Sequence, residues 1–351
     1  MLNIEEHKLK NVGVINFGVY KKLIIEKFLK QKTIKVSKKM DLFDVIFCWG
    51  YFNKDSYSQS KSKSKSIICV EDGFIRSIGL GVEIAKPLSW IFDSKGIYYD
   101  SHNPSDLEVI LNKIKLDEGM KNRIENVKEL ILKNKLSKYN LDSKPSYLKY
   151  HKDNILVIGQ VDQDLSIKHG ANLAINNLDL LRKVKEDFPK SNILYKPHPD
   201  YESGLRNNNN KNNDFINYTS ATLQNISIIE SFKLSDTVIV NTSLAGFEAL
   251  IRGKKVICYG EPFYAGWGLT IDKKTDAIRE RRTRNLSLDE LMYGSLISYP
   301  NYFHPGSYKP AEIEDVLLSL SSTRYKMRLL NRLKTKLLNI LVRIKNMLNP
   351  Q

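Results

Sequence analysis

The chain has 351 residues, 42% of them hydrophobic, three cysteines and a net charge of +16. That apolar content excludes a disordered protein and suffices for two cores of ordinary domain size with a cleft between them. Cys48, Cys69 and Cys258 sit inside apolar runs (VIFCW, SIICVED, KVICYG), which argues against a disulfide framework or a cysteine metal cluster and for a reducing compartment.

The first residues, MLNIEEHKLKNVGVINF, lack the apolar core and cleavage site of a signal peptide. No stretch reaches the ~20 uncharged apolar residues of a membrane span, so the expected location is the cytoplasm. VGVINF (12–17), DVIFCWG (44–50) and SIICVED (66–72) read as buried strands, short and rich in β-branched and aromatic residues. KLIIEKFLK (22–30) and DLEVILNKI (106–114) have helical spacing. SYSQSKSKSKS (56–66) is a polar, low-complexity loop, and residues 134–150 form the expected inter-domain linker.

The second half restarts the pattern. NILVIGQ (154–160) is a strand, NLDLLRKVKEDFP (177–189) a helix and NILYKPHP (192–199) a strand. After an Asn-rich insertion (206–214), ISIIESFKLS (226–235) reads as a helix, TVIVNTS (237–243) as a strand, LAGFEALIRG (244–253) as a helix and KVICYG (255–260) as a strand. Such alternation predicts an α/β protein with mostly parallel sheets covered on both faces.

From Ser321 the pattern becomes one amphipathic helix. Leu330, Leu333, Leu337, Leu341, Ile344 and Leu348 recur at three- and four-residue steps, and residues 324–345 carry eight Lys or Arg and no acid. A basic amphipathic helix lies in the headgroup layer of an anionic membrane. A helix packed back on the protein and a coiled-coil seam are the alternatives.

Ligands of open parallel sheets bind beyond the carboxyl ends of strands, so polar residues directly after apolar runs carry the chemistry. Glu71-Asp72-Gly73-Phe74-Ile75-Arg76 offers a general base and an anion anchor, or else a turn with its own salt bridge. Gly159-Gln160-Val161-Asp162-Gln163-Asp164 holds an Asp-x-Asp pair. A metal site would need more oxygen ligands than the sequence identifies, so the favoured reading is one carboxylate acting directly on a sugar, and the bland one is a helix-capping loop. Lys196-Pro197-His198-Pro199 is a stiff turn whose Lys and His suit a phosphate. Asn241-Thr242-Ser243 leads into a helix whose N-terminus suits an anion, with simple capping as the alternative. Glu248, five residues after Ser243, is placed to accept from a ribose. Tyr264 and Trp267, in the glycine-rich run 259–270, read as a pocket wall on which rings stack.

Together EDGFIRSIGLG (71–81), PLSW…D…GIYYD (87–100), GQVDQDLSI (159–167), YKPHPD (195–200), TSLAGFEALIRGKKVICYGEPFYAGWGLT (242–270) and YPNYFHP (299–305) resemble the capsule polysaccharide β-Kdo transferases of the KpsC type. The motifs occur in the family's order over roughly 70–305. The resemblance implies GT-B architecture: two Rossmann-like domains facing a cleft, residues 1–150 on the acceptor side and 151–305 binding the CMP-sugar, then a return segment and the basic amphipathic helix over 306–351. It implies retaining transfer of Kdo from CMP-β-Kdo to a lipid-linked glycan in surface polysaccharide synthesis, with neither metal nor other cofactor. By motif matching Asp164 is the nucleophile, Glu71 the general base and His198 the residue at the leaving phosphate. Gln160 belongs to the donor side with Asp164, Thr242 and Ser243 hold the phosphate, and Glu248 the ribose. Lys196 and Arg76 are added from charge alone, for the phosphate and the Kdo carboxylate. Family members often carry two transferase modules; this chain has one set of motifs. The competing readings are a GT-B transferase for another CMP-sugar, such as sialic acid, and a non-catalytic basic protein that binds a polyanion or a membrane. Nucleic acid is not an expected partner.

Overall fold

The computed structural model describes residues 11–36, 40–52, 66–80, 85–141, 148–171, 173–202, 213–305 and 307–323. The loop at 56–65, most of the Asn-rich insertion, Gly81 and the basic stretch from 324 onward lie outside the described residues. In chain order the first elements are β1 (Val12–Ile15), α1 (Val19–Leu29), β2 (Ile34–Lys35), β3 (Val45–Trp49), β4 (Ser66–Asp72), β5 (Ser89–Asp93), α2 (Asp106–Lys113) and α3 (Glu118–Lys133). They are followed by β6 (Asn154–Ile158), α4 (Leu165–Gly170), α5 (Asn177–Asp187), β7 (Asn192–Lys196), α6 (Pro199–Glu202), α7 (Asn213–Ile216), β8 (Ala221–Thr222) and α8 (Ile228–Ser231). Last come β9 (Thr237–Val240), α9 (Leu244–Ile251), β10 (Lys255–Cys258), β11 (Ile271–Asp272), α10 (Leu288–Met292), β12 (Pro300–Phe303) and β13 (Pro310–Ala311).

The strands form two sheets, ordered β13-β12-β5-β4-β3-β1-β2 and β11-β10-β9-β6-β7-β8. Every pairing in the second is parallel. Its central strand β6 is buried throughout, as a strand covered on both faces must be. The first sheet departs from the mostly parallel expectation: β4–β5, β5–β12 and β12–β13 are antiparallel. The chain brings β12 back from beyond the second sheet to pair with β5, Pro300 opposite Ile91.

Two elements depart from their sequence pattern. The 226–235 stretch is broken into α8 and a 3-10 turn, Phe232–Leu234. Ser231 Oγ donates back to the Ser227 carbonyl at 3.0 Å, a local bond that competes with helix propagation. The segment near 321 is helical from 313 to 323, where Ile313, Val316, Leu317 and Leu320 are buried.

The apolar packing does not divide into two separate cores. Val12, Val14, Ile24, Ile25 and Phe47 pack between the first sheet and α1, and Ile155, Val157, Leu181 and Val184 pack on one face of the second. A third cluster runs through both halves, joining Phe74, Ile91 and Leu107 to Leu156, Val240 and Phe247. At its centre Phe74 stacks on Phe263, ring centroids 4.6 Å apart and planes 16° apart. The cysteines are buried and form no disulfide; Cys48 and Cys69 face each other across β3 and β4.

Candidate functional site

In the second sheet the connections run outward in both directions from β6, so β6 and β9 flank the point where the strand order reverses. That is where an open α/β sheet binds its ligand. The residues just after those two strands meet there. Gln160 Nε2 donates to Thr242 Oγ1 at 3.0 Å and to Ser166 Oγ at 3.2 Å, while its Oε1 accepts from the Thr242 N–H at 2.9 Å. Gln160 therefore ties the loop after β6 to the turn before α9.

The two acids of the Asp-x-Asp pair diverge. Asp162 Oδ1 accepts from Asn177 N and Nδ2 at 3.1 and 2.7 Å and is tied to the start of α5. Asp164 is exposed and caps α4, its Oδ1 accepting from Ser166 N at 2.9 Å. Among the described residues no group of three or more His, Cys, Asp or Glu side chains is placed to hold a metal ion.

Ser243 caps α9, its Oγ accepting from the Ala245 N–H at 3.3 Å. His198 Nδ1 accepts from the Asp200 N–H at 3.1 Å, which puts the proton of the neutral ring on Nε2. Lys196 is 4% exposed and donates to Glu202 Oε2 at 2.7 Å. Burial lowers its pKa against the pull of that carboxylate, so its charge is answered inside the protein rather than by a phosphate.

On the first sheet, Glu71 and Asp72 end β4. Burial and the neighbouring Asp72 raise the Glu71 carboxyl to about 7, against the Asp72 N–H bond and the opposing pull of Lys138 and Lys21. Arg76 is 4% exposed and donates from Nε to Asp72 Oδ2 at 2.7 Å and from Nη1 to Ser77 Oγ and the Ala85 carbonyl. It braces Asp72 and the turn, and these bonds occupy the guanidinium that was expected to anchor a ligand carboxylate. The turn's own salt bridge, the alternative open in the sequence, is what forms.

Two further expectations change. Tyr264 and Trp267 are fully buried: the Tyr264 hydroxyl donates to the Ser243 carbonyl and Trp267 Nε1 to the Phe263 carbonyl at 2.9 Å. Gly266 and Gly268, at φ 78° and 80°, fold the loop on itself so that the rings face the core and not a pocket. Glu248 is 8% exposed, and its Oε1 accepts from the Lys138 N–H at 2.7 Å. It bonds the chain between the sheets, where a ribose had been expected.

The two halves close on each other through residues the sequence did not single out. Tyr51 stacks on His169, centroids 3.9 Å apart. Ser101 donates from N and Oγ to the His169 carbonyl, both at 3.0 Å; within the second half, Glu261 N–H donates to the Gly170 carbonyl at 2.7 Å. The stack and the Ser101 bonds set α4, and Asp164 at its start, against the first half. Tyr98 and Tyr99 feel both carboxylates: burial first, and then Glu71 and Asp164 among other groups, raise their pKa values, against the pull of Lys138 on Tyr98. Asp72 Oδ1, Tyr99 Oη and Asn241 Oδ1 are buried and have no hydrogen-bond partner among the described residues, as polar atoms lining a ligand site do.

Lysines complete the site. Lys21 of α1 lies 3.3 Å from the Trp49 ring centroid; burial lowers its pKa while Asp72 and Glu71 raise it. Burial also pulls the Lys138 pKa down, but Tyr139, Tyr98, Asp72 and Glu71 together drive it up on balance. Lys138 lies in a stretch without periodicity, so no sequence signal marked it; Tyr98 and Tyr99 were visible only as part of GIYYD.

The family model for capsule polysaccharide biosynthesis proteins matches residues 44–152 and 125–302. Capsule polysaccharide modification protein LipA of Neisseria meningitidis, from serogroups A and B, is 40% identical over 273 residues, covering 77% of this chain and 38% of LipA. Lipopolysaccharide-processing protein LpsZ of Rhizobium meliloti is 38% identical over 257 residues, 72% of this chain and 58% of LpsZ. The chain thus spans less than two thirds of the curated relatives it matches. Among solved structures, the beta Kdo 2,7 transferase of Thermosulfurimonas dismutans KpsC is 33% identical with a TM-score of 0.73, covering 90% of this chain and 100% of that one. The beta Kdo 2,4 transferase of the same KpsC is 31% identical with a TM-score of 0.76, covering 90% and 99%.

Proposed function

The chain belongs to the capsule polysaccharide biosynthesis protein family, and from that premise we propose that it is a retaining β-Kdo glycosyltransferase of GT-B architecture, using CMP-β-Kdo as donor and a lipid-linked glycan as acceptor. The observation that carries the reading is the pair of carboxylates: Glu71 from the first sheet, raised to about 7, and Asp164 from the second, both acting on Tyr98 and Tyr99.

In the proposed reaction an oxygen of Asp164 attacks the anomeric carbon of Kdo. The bond from that carbon to the phosphate oxygen breaks, and CMP leaves with the electron pair. Thr242, Ser243 and His198 Nε2 meet the phosphate charge. Glu71 then takes the proton of an acceptor hydroxyl, whose oxygen attacks the same carbon and releases Asp164. Two inversions retain the anomeric configuration. A carboxyl titrating near neutrality suits the base role. Gln160 sets the spacing between the Asp164 loop and the phosphate turn. The steps call on no divalent cation or other cofactor.

Among the described residues no helix is long and apolar enough to cross a membrane. Attachment from the cytoplasmic side to an anionic membrane through the basic residues of 321–351 belongs to the same proposal.

The test is incubation of the full chain with CMP-Kdo and synthetic lipid-linked acceptors, the product read by mass and its new linkage by NMR. A β-linked Kdo is expected. Turnover of CMP-sialic acid in place of CMP-Kdo, or an α-linked product, would refute the reading.

A further inference from the structure

We infer that Glu248 is a positioning residue: through the segment 136–140 it holds the Glu71–Asp72 loop in register with the Thr242–Ser243 turn. This deepens the transferase reading and rests on it for its kinetic arm.

The segment has two bonded sides. Toward the first sheet the Lys138 carbonyl accepts from the N–H groups of Arg76 and Ser77, both at 3.2 Å, and the Tyr139 carbonyl accepts from Gly79 N–H at 2.9 Å. Asn140 Nδ2 donates to the Ser77 carbonyl at 2.9 Å. Toward the second sheet the Lys138 N–H donates to Glu248 Oε1 at 2.7 Å, and Arg252 Nη2 donates to the Leu136 carbonyl at 2.5 Å. Internally, Ser137 N–H donates to Asn140 Oδ1 at 3.0 Å and Asn140 N–H returns to Ser137 Oγ at 3.2 Å, closing a turn. Bonds across a closed turn transmit displacement instead of absorbing it.

Both ends of this strut reach the chemistry. Arg76, whose N–H the strut accepts, is the residue whose Nε holds Asp72. Glu248 lies on α9, which begins immediately after Ser243, so occupation of the phosphate turn and the position of the base loop share one helix and one hydrogen bond. The Lys138 side chain projects into the field of Glu71 and Asp72. Glu248 itself sits in a crevice lined by Phe74, Ile131, Leu244, Phe247 and Leu296 together with Ser137 and Arg252. An acid there is costly unless its charge is answered and its oxygens are bonded; Arg252 answers the charge and the Lys138 N–H supplies the bond.

The experiment compares wild type, Glu248→Ala and Glu248→Gln in the full chain. Gln keeps an acceptor for the Lys138 N–H and removes only the charge. With CMP as the probe, amide hydrogen exchange should show added protection at Arg76, Ser77 and Lys138 in wild type and Glu248→Gln, and not in Glu248→Ala. In transfer assays Glu248→Ala should lower kcat roughly ten- to a hundredfold, the cost of a small misplacement. Donor KM should move less than about twofold, and the pH limb of the base should shift; Glu248→Gln should recover most of the rate. Equal damage in both variants, unchanged CMP-driven protection in Glu248→Ala, or a raised donor KM at unchanged kcat would each overturn the assignment; the last would make Glu248 a ligand residue. If Glu248→Ala does not fold, Glu248→Met fills the volume without an acceptor and takes its place. If wild type transfers nothing from CMP-Kdo, the transferase reading fails, while the exchange arm still decides the strut.

Discussion

Replacing Glu71 by Gln should destroy activity and stabilise the protein, and the size of the second effect follows from the first sheet. The folded carboxyl titrates at about 7 because burial and Asp72 disfavour its charge, whereas an unfolded glutamate titrates near ~4.3. Between those two values the folded state holds a proton that the unfolded state has lost. Stability therefore falls as pH rises through this window and stays flat above it. A raised carboxyl is the reverse of an ion-paired one, which gains stability on ionising. The difference amounts to between about 3 and 4 kcal/mol at pH 8 and about 1 kcal/mol at pH 5. Gln keeps the acceptor that receives the Asp72 N–H at 2.9 Å and has no charge to bury. Thermal melts should thus show Glu71→Gln more stable than wild type at pH 8, with the gap closing toward pH 5. In parallel, wild-type kcat/KM should rise about tenfold from pH 6 to pH 8, as the base form grows from roughly a tenth to nine tenths. A base titrating at the ordinary glutamate value would leave the rate flat over that range. Equal melting temperatures at pH 8, or a flat rate profile, would refute the assignment of Glu71 as a buried base.

Asp164→Asn and Asp164→Ala should both abolish transfer, but Ala also loses the Ser166 cap and about 1 kcal/mol of stability while Asn keeps it; full turnover in the Asn variant removes the nucleophile. Gly246→Ala should destabilise by about 1–3 kcal/mol in denaturant melts, because its Cβ would collide with the Tyr264 phenol that is anchored on Ser243. Glu108→Ala should cost about 3–5 kcal/mol, since it strips the carboxylate that receives Arg281 Nε at 2.7 Å and Arg282 Nε at 3.1 Å and leaves Arg282 buried without its counter-ion; a melt within 1 kcal/mol of wild type on the scale of exposed pairs would show that the cluster is solvated.

The strands that carry the site were legible because their signal is local. SIICVED reads directly as β4, and NILVIGQ and TVIVNTS as β6 and β9, each a short apolar run that ends in polar residues. What decides the pairing in the first sheet is not local: β5 and β12 come from distant parts of the chain, and their antiparallel register follows from the whole fold. The helix α3 shows Ile124, Val127 and Ile131 at helical spacing, a pattern that carries no chemistry and is easily passed over in a search for strand ends. The candidate site divides the same way. Gln160 and Thr242 follow β6 and β9 and meet as strand-end logic requires. Tyr264 and Trp267 misled because aromatic rings among glycines fit a pocket wall and a folded-in core equally well, and only the left-handed turns at Gly266 and Gly268 decide between them. The internal partners of Arg76 and Lys196, Asp72 and Glu202, were not legible, because a cation beside a strand end looks available until its own carboxylate is known.

The contacts that join the halves are of two kinds. One is the Phe74–Phe263 stack, the continuous apolar cluster and the buried Glu108–Arg282 pair; parting these exposes large apolar area at ~25 cal/mol per Å² and strands a charge. The other kind is single polar bonds: Ser101 to the His169 carbonyl, with a net worth of about 1 kcal/mol because water replaces it, and Lys138 to Glu248, whose loss takes a donor from a buried carboxylate. Separation of the halves is therefore expected to begin at the Ser101–His169 bonds and to reach the aromatic core last.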